Sequence, residues 1–208
     1  MSIVVAYKHN DVVYLCSDSQ VSIGRSKESL FNPHNFRVWK ILGTNDCYMG
    51  GVGTHSEVGR IKSTGGLIRD RDLMLNRVNF NYIVNHVDPT IRDTLIEYKL
   101  ISSEKPYDDI SSEYIVVANN KIYSIEYGSV LESDDFLVVG NGSCEFSSIF
   151  KALSDIEDPL ERIAKSFKVF SQNNIRFNYP LVLIDTKTSK FTLITENNEI
   201  IKEEEDEE

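Results

Sequence analysis

Scarce cysteine and the lack of long apolar runs limit what this 208-residue chain can be. Its three cysteines, an odd number, stand far apart at Cys16, Cys47 and Cys144. This spacing argues against a disulfide framework and a zinc site, and it favours a reducing compartment. No apolar run approaches the roughly 18 residues of a membrane span, and no basic region leads into an apolar one at the N-terminus. We therefore predict a cytoplasmic protein with no membrane partner.

Basic charge is also scarce. The formal net charge is −10, from 22 Lys and Arg residues against 32 Asp and Glu residues. Every residue of the segment 203–208 is acidic, so the remainder of the chain is only mildly negative. Neither part offers the basic surface that nucleic acid requires, and no nucleic acid partner is expected. We predict a single domain over residues 1–200 and a disordered acidic tail over 201–208.

Metal and phosphate motifs are missing as well. The histidines, which are His9, His34, His55 and His86, do not show a His-x-x-x-His spacing. The phosphate-loop pattern Gly-x-x-x-x-Gly-Lys is absent. We therefore expect neither a cofactor nor a metal ion.

The first 24 residues, MSIVVAYKHNDVVYLCSDSQVSIG, predict a β-hairpin. Two runs rich in β-branched and aromatic residues, 3–6 and 12–16, flank a short polar break of hairpin type. Both runs are apolar almost throughout, which is typical of a sheet covered on both faces. Because strand ends meet in an antiparallel hairpin, we expect Asp18 to lie close to the N-terminus.

The remaining chain alternates strands with pairs of helices. This prediction rests on the hydrophobic patterns, the turn residues and a proline at the start of two helices. The order is strands, two helices, strands, two helices, strands, which fits α+β packing of two sheets between helical layers. The predicted segments are strands at 36–42 and from 47, helices from 55 and over 79–101, a hairpin around Asn119-Asn120, a strand at 136–139, helices over 144–156 and from 159, and a hairpin over 181–194.

Ser2 is a candidate nucleophile. A small second residue permits removal of Met1, which leaves a serine with both a hydroxyl and a free α-amine. An α-amine has a pKa of about 8, low enough for it to take the hydroxyl proton near neutral pH.

The opening SIVVAYKHNDVVYLCSDSQVSIG resembles that of proteasome β-type subunits and of the related bacterial HslV peptidase. Those chains begin with a nucleophilic Thr, occasionally Ser, and reach an Asp at the end of the second strand of an apolar hairpin. Asp18 falls at the family's spacing from Ser2, and the run 18–24 resembles the family's Asp-x-x-x-Thr-x-Gly turn, with Ser22 in place of Thr. The alternative is an ordinary buried hairpin in which Asp18 caps a turn.

The resemblance implies two further site residues. Lys40, followed by Ile41, resembles the family's Lys at the start of the third strand, which assists proton transfer. Arg37 is a rival alignment, and an Arg would offer charge but no proton transfer. Gly53 resembles the glycine whose amide binds the oxyanion. The alternatives are a surface lysine at Lys40 and a turn glycine at Gly53.

One part of the family's site has no counterpart in this sequence. Asn141 stands where the supporting Ser of a Gly-Ser-Gly turn would be. Asn173 and Asn174 occupy the region of a supporting Asp and Ser; Ser171 lies nearby, but no Asp does. An amide forms hydrogen bonds but holds no charge, so the expectation is a site that is slow, differently tuned or inactive.

The resemblance extends to about residue 194 and implies the N-terminal-nucleophile hydrolase fold, a four-layer α-β-β-α sandwich of two antiparallel sheets between helix pairs. It implies a self-compartmentalising peptidase that forms a ring-shaped homo-oligomer and cleaves unfolded protein or peptide, with an ATPase unfoldase as a further partner. Two alternatives remain open. One is a catalytically inert proteasome-like scaffold or binding subunit, and the other is an N-terminal-nucleophile amidase acting on a small molecule.

Overall fold

Two large antiparallel sheets stacked between two helical layers, and a separate two-stranded sheet, make up this computed structural model, which describes residues 2–23, 26–29, 36–104, 109–173, 179–197 and 200–202. The predicted four-layer α-β-β-α sandwich is confirmed. The strands are β1 (Ile3–His9), β2 (Val12–Asp18), β3 (Gln20–Ile23), β4 (Ser26–Ser29), β5 (Val38–Lys40), β6 (Tyr48–Val52), β7 (Glu113–Ala118), β8 (Lys121–Glu126), β9 (Ser129–Ser133), β10 (Phe136–Gly140), β11 (Leu181–Asp185), β12 (Lys190–Ile194) and β13 (Ile200–Lys202). The helices are α1 (His55–Lys62), α2 (Asp70–Met74), α3 (Phe80–Tyr82), a π turn (Ile83–Val87), α4 (Asp88–Glu97), α5 (Ser143–Ala152) and α6 (Pro159–Asn173).

The predicted N-terminal hairpin forms β1 and β2, inside a six-stranded sheet of order β10-β1-β2-β11-β12-β13. Its turn residues Asn10 and Asp11 have φ angles of 48° and 60°. Two successive positive φ angles are what a two-residue hairpin turn of type I′ requires. Because β1 also pairs with β10 and β2 with β11, both strands are internal, which explains their apolar composition.

The second sheet has five strands in the order β5-β6-β7-β8-β9. Successive side chains of a strand point to opposite faces, so β1 contributes to two cores. Val4 and Ala6 join the core between the sheets, whereas Ile3 and Val5 join the core beneath α5 and α6. A third core packs α1, α4 and the π turn on the outer face of the five-stranded sheet.

Local signals mark the helix boundaries. Asp158, immediately before α6, accepts a hydrogen bond on Oδ1 from Glu161 N at 2.7 Å, which is the contact an N-cap residue makes. The helix predicted over 79–101 is composite. Pro89 has no N–H to donate to the preceding turn, and the helix widens into the π turn just before it.

Four strands escape the sequence prediction, namely β3 and β4, which pair with each other, and the edge strands β9 and β13. Strand β9 lies at the edge of the five-stranded sheet and is mostly exposed, so its hydrophobic pattern is weak. Strand β13 pairs with β12 and covers the first two residues of the segment predicted as the tail, which means that the sheet extends into that segment. Residues 203–208 lie outside the described residues. None of the helices in the described ranges is long and apolar enough to cross a membrane.

Candidate active site

A cleft of about 490 Å³ lies where the ends of several segments converge. Its lining comes from the residue before β1, the residue before β5, the β6–α1 turn, the start of β7 and the β10–α5 turn. Ser2, Arg37 and Gly53 are among the lining residues. Most of these groups are polar, which contrasts with the apolar cores on either side.

Asp18 lies beside Ser2, as the antiparallel pairing of the hairpin predicts. The N–H of Ile3 donates to Asp18 Oδ1 at 3.2 Å, and the Asp18 side chain is fully buried. Ser2 itself is half-buried and lines the cleft. The hairpin therefore places the Ser2 hydroxyl and the buried Asp18 carboxylate at the same end of the six-stranded sheet, because Asp18 bonds to the residue that follows Ser2.

Arg37 lines the cleft, whereas Lys40 is exposed and is not one of the described residues that line it. Burial lowers the pKa of the Arg37 guanidinium, and the negative charge of Asp18 opposes that shift. An Arg side chain nevertheless remains protonated. The antiparallel pairing of β5 with β6 explains why Arg37 lies at the cleft and Lys40 does not, because Gly51 N donates to Arg37 O near the cleft. Lys40 lies three residues further along an extended chain, about 10 Å away.

Gly53 lies at the cleft in a conformation that only glycine adopts easily. Its φ angle is +127°, and an added Cβ would lie 2.3 Å from Ser112 Oγ and 2.5 Å from Ser112 Cα. Thr54, the next residue, is the N-cap of α1. A backbone amide close to a helix N-terminus suits a developing negative charge.

Sequence reasoning missed Glu113, which lines the cleft at the start of β7. Its Oε2 accepts a hydrogen bond from Gly140 N at 2.7 Å. It also missed the buried Glu57, whose Oε1 accepts from Ser111 Oγ at 3.0 Å. A carboxylate that opens the otherwise apolar strand EYIVVA was a usable signal for Glu113. Ser111 also lines the cleft, and nothing in its local sequence distinguishes it.

No family model and no curated protein sequence matches the chain. Solved structures do match it. HslV from Trypanosoma brucei is 15% identical over 88% of this chain and 99% of its own, with a TM-score of 0.56. Anbu, an ancestral β-subunit from Yersinia bercovieri, is 14% identical over 94% of this chain and 88% of its own, with a TM-score of 0.66. BPH from Thiobacillus denitrificans, solved with epoxomicin, is 12% identical over 89% and 99% of the two chains, with a TM-score of 0.61.

This is the proteasome β-type fold. The similarity to the three structures extends over 88 to 94% of this chain. At these identities the likeness concerns the fold, and the chemistry depends on the residues of the cleft.

Of the residues that the sequence predicted at or near the supporting positions, Asn141 and Ser171 lie in the described part of the chain. Asn141 is exposed and lines the cleft, between Gly140 and Gly142, which have positive φ angles of 107° and 94°. Ser171 donates its hydroxyl to Lys168 O at 2.8 Å, within α6. Asn174, the Asn173 side chain, Gly24 and Met1 lie outside the described residues.

This chain also buries a thiol near the cleft, that of Cys16. Burial and the charge of Asp18 raise the pKa of the Cys16 thiol well above its usual value, so Cys16 is not an activated nucleophile. Among the described residues, no group of three or more His, Cys, Asp or Glu side chains could hold a metal ion.

Proposed function

We propose that this chain is a proteasome-like peptidase that uses Ser2 as its nucleophile once Met1 has been removed. The observation that carries the proposal is the hydrogen bond from Ile3 N to Asp18 Oδ1 at 3.2 Å. It holds a buried carboxylate next to Ser2, in a cleft that also contains Arg37 and Gly53.

In the proposed mechanism, the Ser2 hydroxyl attacks the scissile carbonyl and its proton passes to the Ser2 α-amine, directly or through water. The Gly53 amide donates to the oxyanion. Collapse of the intermediate breaks the C–N bond, and the leaving amine takes the proton. Water then hydrolyses the acyl-enzyme ester. Asp18 orients Arg37, whose fixed positive charge lowers the proton affinity of the neighbouring amine without carrying the proton itself.

The proposal includes self-association into a ring in the cytoplasm, with unfolded protein or peptide as the substrate and an ATPase unfoldase as a further partner. The fold supports it, because this chain is similar to Anbu, which is described as an ancestral β-subunit. Native mass spectrometry of the purified protein tests the ring. A monomer at micromolar concentration would contradict it.

The cleft also supports a second candidate, a proteasome-like scaffold or binding subunit without activity. Asn141 is the observation that favours it, because an amide at a supporting position holds no charge. A third candidate, an amidase for small molecules, is separated from a peptidase by comparing casein with short peptide amides as substrates.

The deciding experiment is the intact mass of the protein before and after exposure to a β-lactone. Attack by Ser2 Oγ opens the lactone ring and forms an ester, and the hydroxyl proton ends on the released ring oxygen, so the mass rises by one whole lactone. We expect a chain without Met1 and one adduct that peptide mapping assigns to Ser2. The matched control Ser2→Ala should form no adduct.

Two results would contradict the proposal. Retained Met1 would leave the Ser2 nitrogen in a peptide bond and exclude the mechanism for that preparation. Loss of Met1 without an adduct would favour the inactive scaffold.

A further inference from the structure

We infer that Glu113 is a positioning residue for Ser2 and that it acts through the backbone of Gly140. The inference rests on the proposed function, in which Ser2 is the reacting group. Three observations carry it: a hydrogen bond between the sheets, a close backbone contact with Ser2, and the anchoring of the segment that leads into Glu113.

The hydrogen bond joins the two sheets at the cleft. Glu113 begins β7 in the five-stranded sheet, and Gly140 ends β10 in the six-stranded sheet. Glu113 Oε2 accepts from Gly140 N at 2.7 Å. A carboxylate that accepts from an N–H makes a short and strong hydrogen bond, about twice as strong as one between neutral groups. Glu113 therefore fixes the end of β10 relative to the opposite sheet.

Gly140 in turn packs on the backbone of Ser2. It is the register partner of Ile3, and its φ angle is +107°. A Cβ at this position would lie 2.3 Å from Ser2 O and 3.2 Å from Ile3 Cα. No side chain separates the two backbones, so a shift of Gly140 is transmitted directly to Ser2. A misplacement of about 1 Å can cost roughly a hundredfold in rate.

The segment that leads into Glu113 is itself anchored. Ser111 donates both its hydroxyl and its N–H to Glu57 of α1, at 3.0 and 3.3 Å. Ser112 occupies the space that a Cβ on Gly53 would need. The segment 111–113 thus makes three successive contacts: its first residue bonds to α1, its second packs on Gly53, and its third bonds to the end of β10. Glu113 is held firmly enough for its hydrogen bond to determine where Gly140 lies.

The chain offers a matched control in Glu126, which ends β8. Tyr114 pairs with Ile125, so Glu113 and Glu126, the next residue on each strand, stand opposite each other. Burial and the negative charge of Glu113 raise the pKa of Glu126. Glu126 is not among the described residues that line the cleft. Glu126→Ala removes a neighbouring carboxylate and leaves the hydrogen bond between Glu113 and Gly140 in place.

The test is the kinetics of Ser2 acylation by a β-lactone, followed by intact mass. Glu113→Gln keeps an acceptor oxygen at the same reach, whereas Glu113→Ala removes the acceptor and Glu113→Asp keeps the charge but shortens the reach. We expect Ala and Asp to lower the maximal acylation rate by about 10- to 100-fold, with the half-saturating lactone concentration unchanged within about twofold. Gln should stay within about threefold of wild type, and Glu126→Ala within about twofold.

The inference is overturned if the Ala and Asp variants react at the wild-type rate, or if Gln is as slow as Ala. If the Ala variant does not fold, the comparison of Asp with Gln carries the same decision.

Hydrogen exchange at the Gly140 amide separates this inference from the proposed function, because it requires no activity. The amide should exchange faster in the Asp and Ala variants than in wild type and stay protected in Gln. Unchanged protection in Ala overturns the inference. If wild-type protein forms no adduct, the proposed function fails, and Gly140 exchange alone decides whether Glu113 holds the strand beside Ser2.

Discussion

The hairpins β1–β2 and β7–β8 occupy internal positions in the two sheets, and their closed ends are alike. The first turns through Asn10 and Asp11, with φ angles of 48° and 60°, and the second through Asn119 and Asn120, with 50° and 59°. Asn and Asp tolerate the left-handed region better than other residues with a side chain. Each hairpin therefore has Asn or Asp at both turn positions, where the backbone must adopt positive φ angles.

Their open ends differ. The first hairpin places Asp18 beside Ser2 through a hydrogen bond between its own two strands. The second places Glu113 at the same cleft, but Glu113 bonds to Gly140 of the other sheet. The two hairpins therefore contribute to one cleft in different ways. The first does so through a hydrogen bond between its own strands, and the second through a hydrogen bond to the other sheet.

The largest effect should follow from removing the cation that faces the first hairpin. Arg37→Met leaves the buried Asp18 charge without the nearby guanidinium, which should lower the unfolding free energy by about 3 kcal/mol. The rate of Ser2 acylation should fall at least about tenfold, because a fixed charge beside the reacting groups is lost.

Lys40→Met is the matched comparison, because Lys40 is exposed. Its unfolding free energy should change by no more than about 0.5 kcal/mol. Urea denaturation and intact-mass kinetics measure both variants. A larger loss of acylation in Lys40→Met than in Arg37→Met would reverse the assignment.

A smaller effect is expected at Gly53, which packs against Ser112, the residue before the second hairpin begins. Gly53→Ala forces a Cβ to within 2.3 Å of Ser112 Oγ at a φ angle of +127°. The strain should lower the unfolding free energy by about 2 kcal/mol. Gly59→Ala, in an exposed position of α1 where a Cβ meets nothing within 4 Å, should raise it by about 0.5 kcal/mol. Urea denaturation gives both values, and equal stability of the two variants would show that Ser112 does not fill that space.

The smallest effect concerns the closed ends. Asn120→Gly should raise the unfolding free energy by about 0.5 kcal/mol, because glycine adopts a positive φ angle without strain. Asp11→Gly should gain less, since it also removes the exposed ion pair of Lys8 and Asp11 at 3.8 Å, which is worth between about 0 and 1 kcal/mol. High salt screens the ion pair, so the stability gains of the two variants should become more similar. An Asn120→Gly variant that is less stable than wild type would contradict the shared turn geometry.

Much of the fold was predictable because its signals are local. The apolar runs around Asn10 and Asp11 predict the first hairpin, and antiparallel pairing alone brings Asp18 to Ser2. In the same way, Asp158 and Pro159 mark the start of α6. The exposed edge strand β9 escaped prediction because backbone pairing with β8 holds it, with little contribution from a hydrophobic pattern.

The sequence by itself determined the order of strands and helices, the hairpin and the pair Ser2 and Asp18, since each depends on residues close in the chain or on a turn with a strong signal. Only the tertiary structure showed that Arg37, and not Lys40, lines the cleft, because the pairing of β5 with β6 sets which end of that strand reaches it. It alone revealed the contact of Glu113 with Gly140, which joins residues of different sheets. Packing two sheets face to face creates such contacts, and no periodicity within either strand encodes them.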